Sequence, residues 1–585
     1  MTVPEQEPKI EKSYSSGSDM YDAEEPVQPM NPDDLHSSEP LARTDSRQSV
    51  ISSLRRTQTR DLAPGEPNVP TPASFDDNKK EVQDEPYYHS LDGSAPFPEC
   101  TVPREDCVID WQSDEDPDNP QNWSYGRKFF LMFIVSMSAM ATVFGSAIAG
   151  PASPGVQKEF HIGTAPAALM VALYVIGFAV GPIIWGPMSE QMGRRLPIVL
   201  GLFGVVVFSF ACATAKDFQT LVLSRFFAGA LGASTISVTP VIPADIFNAQ
   251  MRGKGIAIIT LMIIAGPMLA PVVGGYISSS YLGWRWNFYI LGIFASLMLV
   301  LATFFLPETY AAAILVTRAK KICSHTGNWM IVAKLETQEF TVSDLVEKTL
   351  LRPIKMLFVE PILLLISVYH GFIYGILYLC LECVPIIFSQ YGWHGGNIYL
   401  PYLGMLVGCI VVVLVNLFIF EPRFDRVIAK STEAILPEER LPLMMLSGII
   451  FPIGIFLLCW SGAYQVMWFV PTLGCAFIGF ALIGIFMTAF NYIIDTYLIL
   501  AASGIAANTF LRSGMGGSMP IYATPLFLNL GTQWAGTLLG CISALLTPVP
   551  FLFYFYGKQI RSKSKYAVVL PSPQKPEPTS SEEEA

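Results

Sequence analysis

From about Phe129 onward the chain alternates between long apolar runs and short charged breaks, whereas the first 123 residues show no apolar period. Runs near 20 residues with few charges have the length of a helix that crosses the hydrocarbon core of a bilayer. The pattern predicts twelve spans, at about 129–148, 165–185, 196–215, 221–241, 256–277, 288–306, 361–388, 402–420, 443–460, 466–492, 497–527 and 536–556. The sharpest break is Gly186-Pro-Met-Ser-Glu190-Gln-Met-Gly193-Arg194-Arg195, between the second and third runs. A polar stretch near 307–357 divides the runs into six and six. The expected fold is an all-α polytopic membrane protein. A disordered tail (1–123) precedes a six-helix half (124–306). A linker (307–357), a second six-helix half (358–557) and a tail (558–585) follow.

Composition agrees. Of 585 residues, 51% are hydrophobic and 15% charged, against about 25% charged in soluble domains. The net charge of −11 comes mostly from the tails, so nucleic acid is not an expected partner; the bilayer is. Seven of the ten cysteines (Cys212, Cys380, Cys383, Cys409, Cys459, Cys475, Cys541) fall in apolar runs and read as small core residues. Cys380-x-x-Cys383 has no second pair, so no metal site is expected. There is no phosphate loop and no enzyme signature, and no cofactor is implied. The N-terminal tail is rich in Ser, Pro, Asp, Glu and Gln and shows no cleavable signal peptide. Arg47-Gln-Ser49 and Arg55-Arg56-Thr57 within it have the pattern of basic-directed phosphorylation sites.

Lys and Arg concentrate in cytoplasmic loops. With the N-terminus inside, the internal loops hold Arg194, Arg195, Arg252, Lys254, the cluster Arg318, Lys320 and Lys321, then Arg423, Arg426, Lys430, Arg440 and the cluster Lys558, Arg561, Lys563 and Lys565. The external loops hold Lys158, Lys216 and Arg285. Both termini are therefore expected in the cytoplasm.

Six plus six spans with this turn resemble the major facilitator superfamily, over about 119–567. Gly186, Gly193, Arg194 and Arg195 match its signature; Glu190 stands for the usual Asp and Gln191 for a usual base. Further blocks resemble the fungal twelve-span drug:proton antiporters, in their multidrug and polyamine branch. These are Arg225-Phe-Phe-Ala-Gly229-Ala-Leu-Gly232, Gly266-Pro267-Met-Leu-Ala270-Pro271-Val-Val-Gly274-Gly275, Asn119-Pro-Gln-Asn-Trp123, Pro307-Glu-Thr-Tyr310 and Ala506-Ala-Asn-Thr-Phe-Leu-Arg512-Ser. The last continues Gly514-Met-Gly-Gly in place of the usual Leu-Phe-Gly. The resemblance implies alternating access, proton-coupled export of small organic molecules at the plasma membrane, and an antiporter segment at Gly266, Pro267, Pro271, Gly274 and Gly275 that seals the external side.

The residues suggest specific roles. Arg194 and Arg195 are expected to pair with Glu190 and Asp245, with Arg252 joining them, as a cytoplasmic gate built on Gly186 and Gly193. A charge inside a membrane costs roughly 2.5–3.5 kcal/mol on insertion scales and marks function by default. Arg225, Glu382 and Arg512 are such charges; the proton coupling that the resemblance implies falls on Arg225 and Glu382. His370, Tyr374, Tyr378 and Glu382 recur every four residues, a stripe about 18 Å long on one helix face. With Arg512 they form the candidate substrate site, whose Tyr rings suit apolar or cationic compounds. Two alternatives stay open: a proton-coupled importer of a nutrient or polyamine, and a transporter-like sensor. Oligomeric state leaves no mark in the sequence; a monomer is expected.

Overall fold

The computed structural model describes residues 108–113, 115–326, 331–337, 352–430, 437–497, 500–562 and 564–566. The two phosphorylation patterns in the N-terminal tail lie outside the described residues. Twelve long helices run back and forth, α1 to α12. In the first half these are α1 Tyr125–Ala147, α2 Thr164–Met192, α3 Arg195–Ala213, α4 Phe218–Val238, α5 Ala249–Ser279 and α6 Arg285–Phe305. A 3-10 turn extends α4 to Ile246. In the second half they are α7 Pro361–Gln390, α8 Pro401–Val415, α9 Pro442–Ala463, α10 Phe469–Tyr497, α11 Ala501–Leu530 and α12 Thr532–Leu546. A π-turn at Asn416–Phe420 leads α8 into Glu421–Lys430, and Pro548–Ser562 prolongs α12.

Eleven of these are long and apolar enough to cross a membrane. The remaining helix, α11, has 30 residues, but its first half and middle carry Asn508, Arg512, Ser513, Gly514, Gly516 and Gly517. Its polarity reflects its place, packed along α7 and α2 rather than facing lipid.

Each half has its own set of contacts. The helices α1 with α5, α2 with α4, and α3 with α4 and α6 form the first half; α7 with α11, α8 with α10, and α9 with α10 and α12 form the second. The halves meet chiefly along α2 with α11 and α5 with α8. Glycines set the closest crossings, because only a missing Cβ lets two backbones touch. A Cβ on Gly177 of α2 would lie 2.6 Å from the Ala230 nitrogen of α4, and one on Gly229 would overlap the Tyr174 carbonyl.

The boundary of the N-terminal tail differs from the expectation at residue 123. Val108–Ile109 (β1) pairs in parallel with Val332–Ala333 (β2), register Val108 to Val332. Arg318 of the linker helix Ala311–Thr326 reaches Asp116 at 2.7 Å. Asp116 is buried, and its carboxyl is held below the ordinary 3.8, first by that Arg318 bond against the opposing cost of burial. The pair is thus complete at neutral pH and lost as pH falls below the usual carboxylate range. These partners lie some 200 residues apart, beyond the reach of a local pattern. The C-terminal boundary also moves. The helix runs on to Ser562, and the next residues dock on Glu360, the buried cap of α7. The Glu360 carboxylate accepts from the Ser564 hydroxyl, the Lys565 and Tyr566 N–H groups (2.9 and 3.1 Å) and the Tyr497 hydroxyl (3.3 Å).

The α2–α4 crossing yields a test. Gly229→Val forces backbone apart at an overpacking cost of about 1–3 kcal/mol, so the unfolding midpoint of the purified protein should fall by several degrees. Gly514→Ala, where a Cβ meets nothing within 4 Å, should leave it unchanged.

Candidate gate and intramembrane site

The turn between α2 and α3 contains the expected Arg194–Asp245 pair. Gly193 has φ +87°, a left-handed conformation that glycine adopts without strain. Its missing side chain leaves room for the Glu308 carboxylate, which a Cβ there would strike. Glu308 accepts from the N–H of Arg194 (2.7 Å), Arg195 (3.1 Å), Thr309 (2.9 Å) and Tyr310 (2.9 Å). It thereby caps the positive end of the α3 dipole. The Arg194 side chain, buried, bonds Asp245 of the α4 extension through Nε at 3.1 Å. It also donates through Nη1 to the Ser189 hydroxyl at 3.0 Å and lies over the Tyr310 ring at 4.4 Å. Arg195 Nη2 donates to the Thr303 carbonyl at 2.6 Å.

Two expected members act on this network through their charge. Glu190 makes no ion pair or hydrogen bond among the described residues, but lies near enough to Arg194 and Arg352 to feel their charge. Arg252, whose Nε is buried and unpaired, lies near enough to Asp245 to act on its carboxyl. The acid the turn relies on is Glu308, from the block Pro307-Glu-Thr-Tyr310, singled out in the sequence without a role. Gly186 meets nothing at its Cβ position, and its carbonyl accepts from Ser189 at 2.7 Å. All these contacts lie within the first half and the start of the linker that follows it.

The second half repeats the arrangement at the corresponding places. Before α9, Arg440 pairs with Asp495 at the end of α10 (2.6 Å), and Glu438 pairs with Arg561 after α12 (3.1 Å), the last two both buried. Unlike the α2–α3 turn, this copy carries no recognisable motif and is visible only in three dimensions.

At the opposite end of the bundle the antiporter segment of α5 does what its glycines allow. Pro267 and Pro271 lie inside the helix. A Cβ on Gly266 would lie 2.9 Å from the Phe144 nitrogen of α1, and one on Gly274 would lie 3.4 Å from the Ile148 carbonyl. Gly275 receives the Tyr399 ring from the second half, and the neighbouring Tyr276 hydroxyl donates to Asn397 at 2.8 Å. These contacts join the two halves there. Beside them Arg285 grips Glu159 at 2.6 Å and keeps its carboxyl below the ordinary range.

Between the two ends lie the buried polar side chains. Arg225 of α4 is 1% exposed. It donates through Nε to the Met170 carbonyl (2.9 Å) and through Nη2 to the Ser146 carbonyl (3.1 Å), with the Tyr174 ring at 4.0 Å. The structure brings together four of the five substrate-site candidates. The His370 ring lies 3.9 Å from that of Phe486, and Arg512 lies over Tyr374 at 4.7 Å and Phe486 at 5.3 Å. The Tyr374 and Tyr378 hydroxyls are 3.2 Å apart, and Tyr378 donates to Ser146 of α1 at 2.9 Å. Glu382 stands apart. It is partly buried, makes no ion pair or hydrogen bond among the described residues, and interacts electrostatically with Tyr399 and Tyr402 beside the α5 end. Sequence spacing missed Phe486, Phe490, Asn508 and Ser146, because partners on other helices leave no periodic signal. Among the described residues no cluster could hold a metal ion.

A helical bundle in two halves, each closed by internal ion pairs, with buried and partly unpaired cations has the construction of a secondary transporter. The family profile described as Major Facilitator Superfamily matches residues 135–520, and the chain belongs to that superfamily. It is 45% identical to the Major facilitator superfamily multidrug transporter FLU1 of Candida albicans, over 82% of this chain and 79% of that protein. It is 42% identical to the Multidrug transporter TPO1_2 of Candida glabrata, over 82% and 83%. Among solved structures, the proton:xylose symporter XylE bound to a bromodeoxyglucose is similar in fold, with TM-score 0.55 and 17% identity over 74% of this chain and 97% of that one.

The four N–H groups gathered by Glu308 generate a test. Hydrogen bonds to a charged group are worth about 1.5–3 kcal/mol each. Glu308→Gln removes the charge and half the acceptor capacity, so the unfolding midpoint should drop clearly, whereas Glu190→Gln should barely move it. Equal, small effects would show that Glu308 is not the acid that holds the turn.

Proposed function

We propose that the protein exports small organic molecules from the cytoplasm across the plasma membrane in exchange for protons, by alternating access, with α11 counted as a twelfth span. The observation that carries this reading is the seal at the α5 end. There Gly266 and Gly274 press α5 onto α1, and Gly275 and Tyr276 engage Tyr399 and Asn397 of the other half. In the antiporters this segment resembles, it closes the external side. The names of the relatives, multidrug transporters, agree with export. The basic residues gathered at the Arg194 end support a cytoplasmic placement of that end and of both termini.

In this reading the Arg194–Asp245 and Arg440–Asp495 pairs brace each half at its cytoplasmic end, so that each half moves as a unit. Arg225 holds a fixed positive charge in the first half beside Ser146, while the Ser146–Tyr378 bond ties that half to α7. Glu382, a carboxyl with no ion pair or hydrogen bond among the described residues and close to Tyr399 and Tyr402, takes a proton from outside and releases it inward in this reading. Its charge would then differ between the two arrangements, which gives a proton gradient its hold on the seal.

Three measurements test these assignments. Cells carrying the gene should retain less of a fluorescent drug than deletion cells, and a protonophore should abolish the difference; retention unaffected by the protonophore contradicts coupling. Glu382→Gln should keep the protein at the surface but flatten the dependence of export on external pH. Arg194→Glu puts like charge against Asp245 and should lower export at least about tenfold at normal surface level; normal export would remove the brace from the account.

A further inference from the structure

The two arginines buried in the bundle are held differently. Arg225 is answered by two backbone carbonyls. Arg512, 3% exposed, has no carboxylate in ion-pair range among the described residues, and its Nε–H is buried with no acceptor. Three ring faces surround its guanidinium, Tyr374 (4.7 Å), Phe486 (5.3 Å) and Phe490 (5.8 Å). Ring faces attract the charge but accept nothing along the N–H edge. A buried, unanswered donor of this kind is costly.

His370 lies against the same Phe486 ring and is likewise half answered. Its Nδ1 is 3.0 Å from Asn508 Oδ1. Asn508 in turn donates its Nδ2 to Ser367 at 3.1 Å, which turns the amide oxygen toward the imidazole. Nδ1 therefore carries the proton, and Nε2, buried without a partner, presents a lone pair. One unmet N–H on a cation and one unmet lone pair thus flank an aromatic surface. The Tyr374 face, expected to receive cationic compounds, is already covered by Arg512.

We infer that Arg512 and His370 form the polar end of a site for an aromatic carboxylic acid, bound as its anion. The carboxylate answers Arg512, the flat apolar body lies against Phe486 and Phe490, and His370 Nε2 accepts from a hydroxyl or N–H of the ligand. Arg512 on α11 and His370 on α7 belong to the second half, and α11 also packs along α2 of the first. A ligand here sits beside the surface on which the halves move. The inference deepens the reading of the chain as a small-molecule exporter and rests on it for its biological meaning, but the site itself is tested by binding alone.

The test uses the full-length protein in lipid nanodiscs and three isosteres: 1-naphthoate, 1-naphthamide and 1-naphthylmethylammonium. A charge-assisted hydrogen bond in a dry site predicts that the carboxylate binds about tenfold or more tightly than the amide, and that the ammonium binds weakest. Arg512→Gln should bring the carboxylate-to-amide ratio to within about twofold. Arg512→Lys, which keeps the charge but not the planar fork, should give an intermediate ratio. The wild-type ranking needs no variant, so a misfolded mutant cannot decide the matter. Binding of the amide or ammonium as tightly as the carboxylate, binding of none of the three, or an unchanged ratio in well-folded Arg512→Gln overturns the inference. Export of neutral or cationic drugs without carboxylate selectivity would leave the exporter reading standing and defeat the anion site. Selective binding without proton-driven export would do the reverse.

Discussion

Inside a bilayer no water is present to answer a polar group, so what each buried cation finds for a partner determines what it can do. Arg194 finds Asp245, Ser189 and the Tyr310 ring, and becomes a brace. Arg225 finds two carbonyls from α1 and α2 and becomes a fixed charge. Arg512 finds three ring faces, and among the described residues its buried Nε–H has no acceptor. The same need explains the glycines. Where Gly193 makes way for Glu308, four N–H groups meet one carboxylate; where Gly229 admits the Tyr174 carbonyl, α2 and α4 become one body.

The two halves are braced alike but with different chemistry. In the first, a carboxylate after α6 caps the backbone before α3. In the second, Arg561 after α12 meets Glu438 before α9. Both place an ion pair between a turn and the end of the fourth helix of their half, Arg194 with Asp245 and Arg440 with Asp495. Rigid halves concentrate motion at the contacts between them: α2 with α11, α5 with α8, the Tyr276–Asn397 bond and the Ser146–Tyr378 bond. A transporter built this way moves by exchanging a few such contacts rather than by deforming helices.

Much of the fold was legible because a bilayer imposes a length and a polarity on each helix. The seventh helix, expected at 361–388, is found at Pro361–Gln390. The helix α11, expected at 497–527, is found at Ala501–Leu530, although its polar first half is buried against other helices. The turn between α2 and α3 was half legible. Gly193 and Arg194 stand in a contiguous motif, but Glu308 is more than 110 residues away, and Glu190 was favoured because it stands where the motif usually has Asp. At the candidate substrate site, fourfold spacing linked His370, Tyr374 and Tyr378, which the structure also brings together around Phe486. Spacing also drew in Glu382, which helical drift carries to the far-end seal. Spacing could not supply Phe486, Asn508 or the unpaired edge of Arg512, because those depend on how separate helices meet. The docking of Val108–Ile109 on Val332–Ala333 and of Ser564–Tyr566 on Glu360 was invisible for the same reason.

The central claim is that two rigid halves exchange access between the ends of the bundle. Tyr281, between α5 and α6, and Tyr464, after α9, are both exposed at the sealed end. Spin labels placed at these two positions, in otherwise cysteine-free protein in nanodiscs, would report the distance between the halves by pulsed electron resonance. Alternating access predicts at least two distance populations whose proportions change with pH or bound substrate, the longer one appearing as the Tyr276–Asn397 contact opens. A single narrow distribution, the same at every pH and with or without substrate, would contradict it.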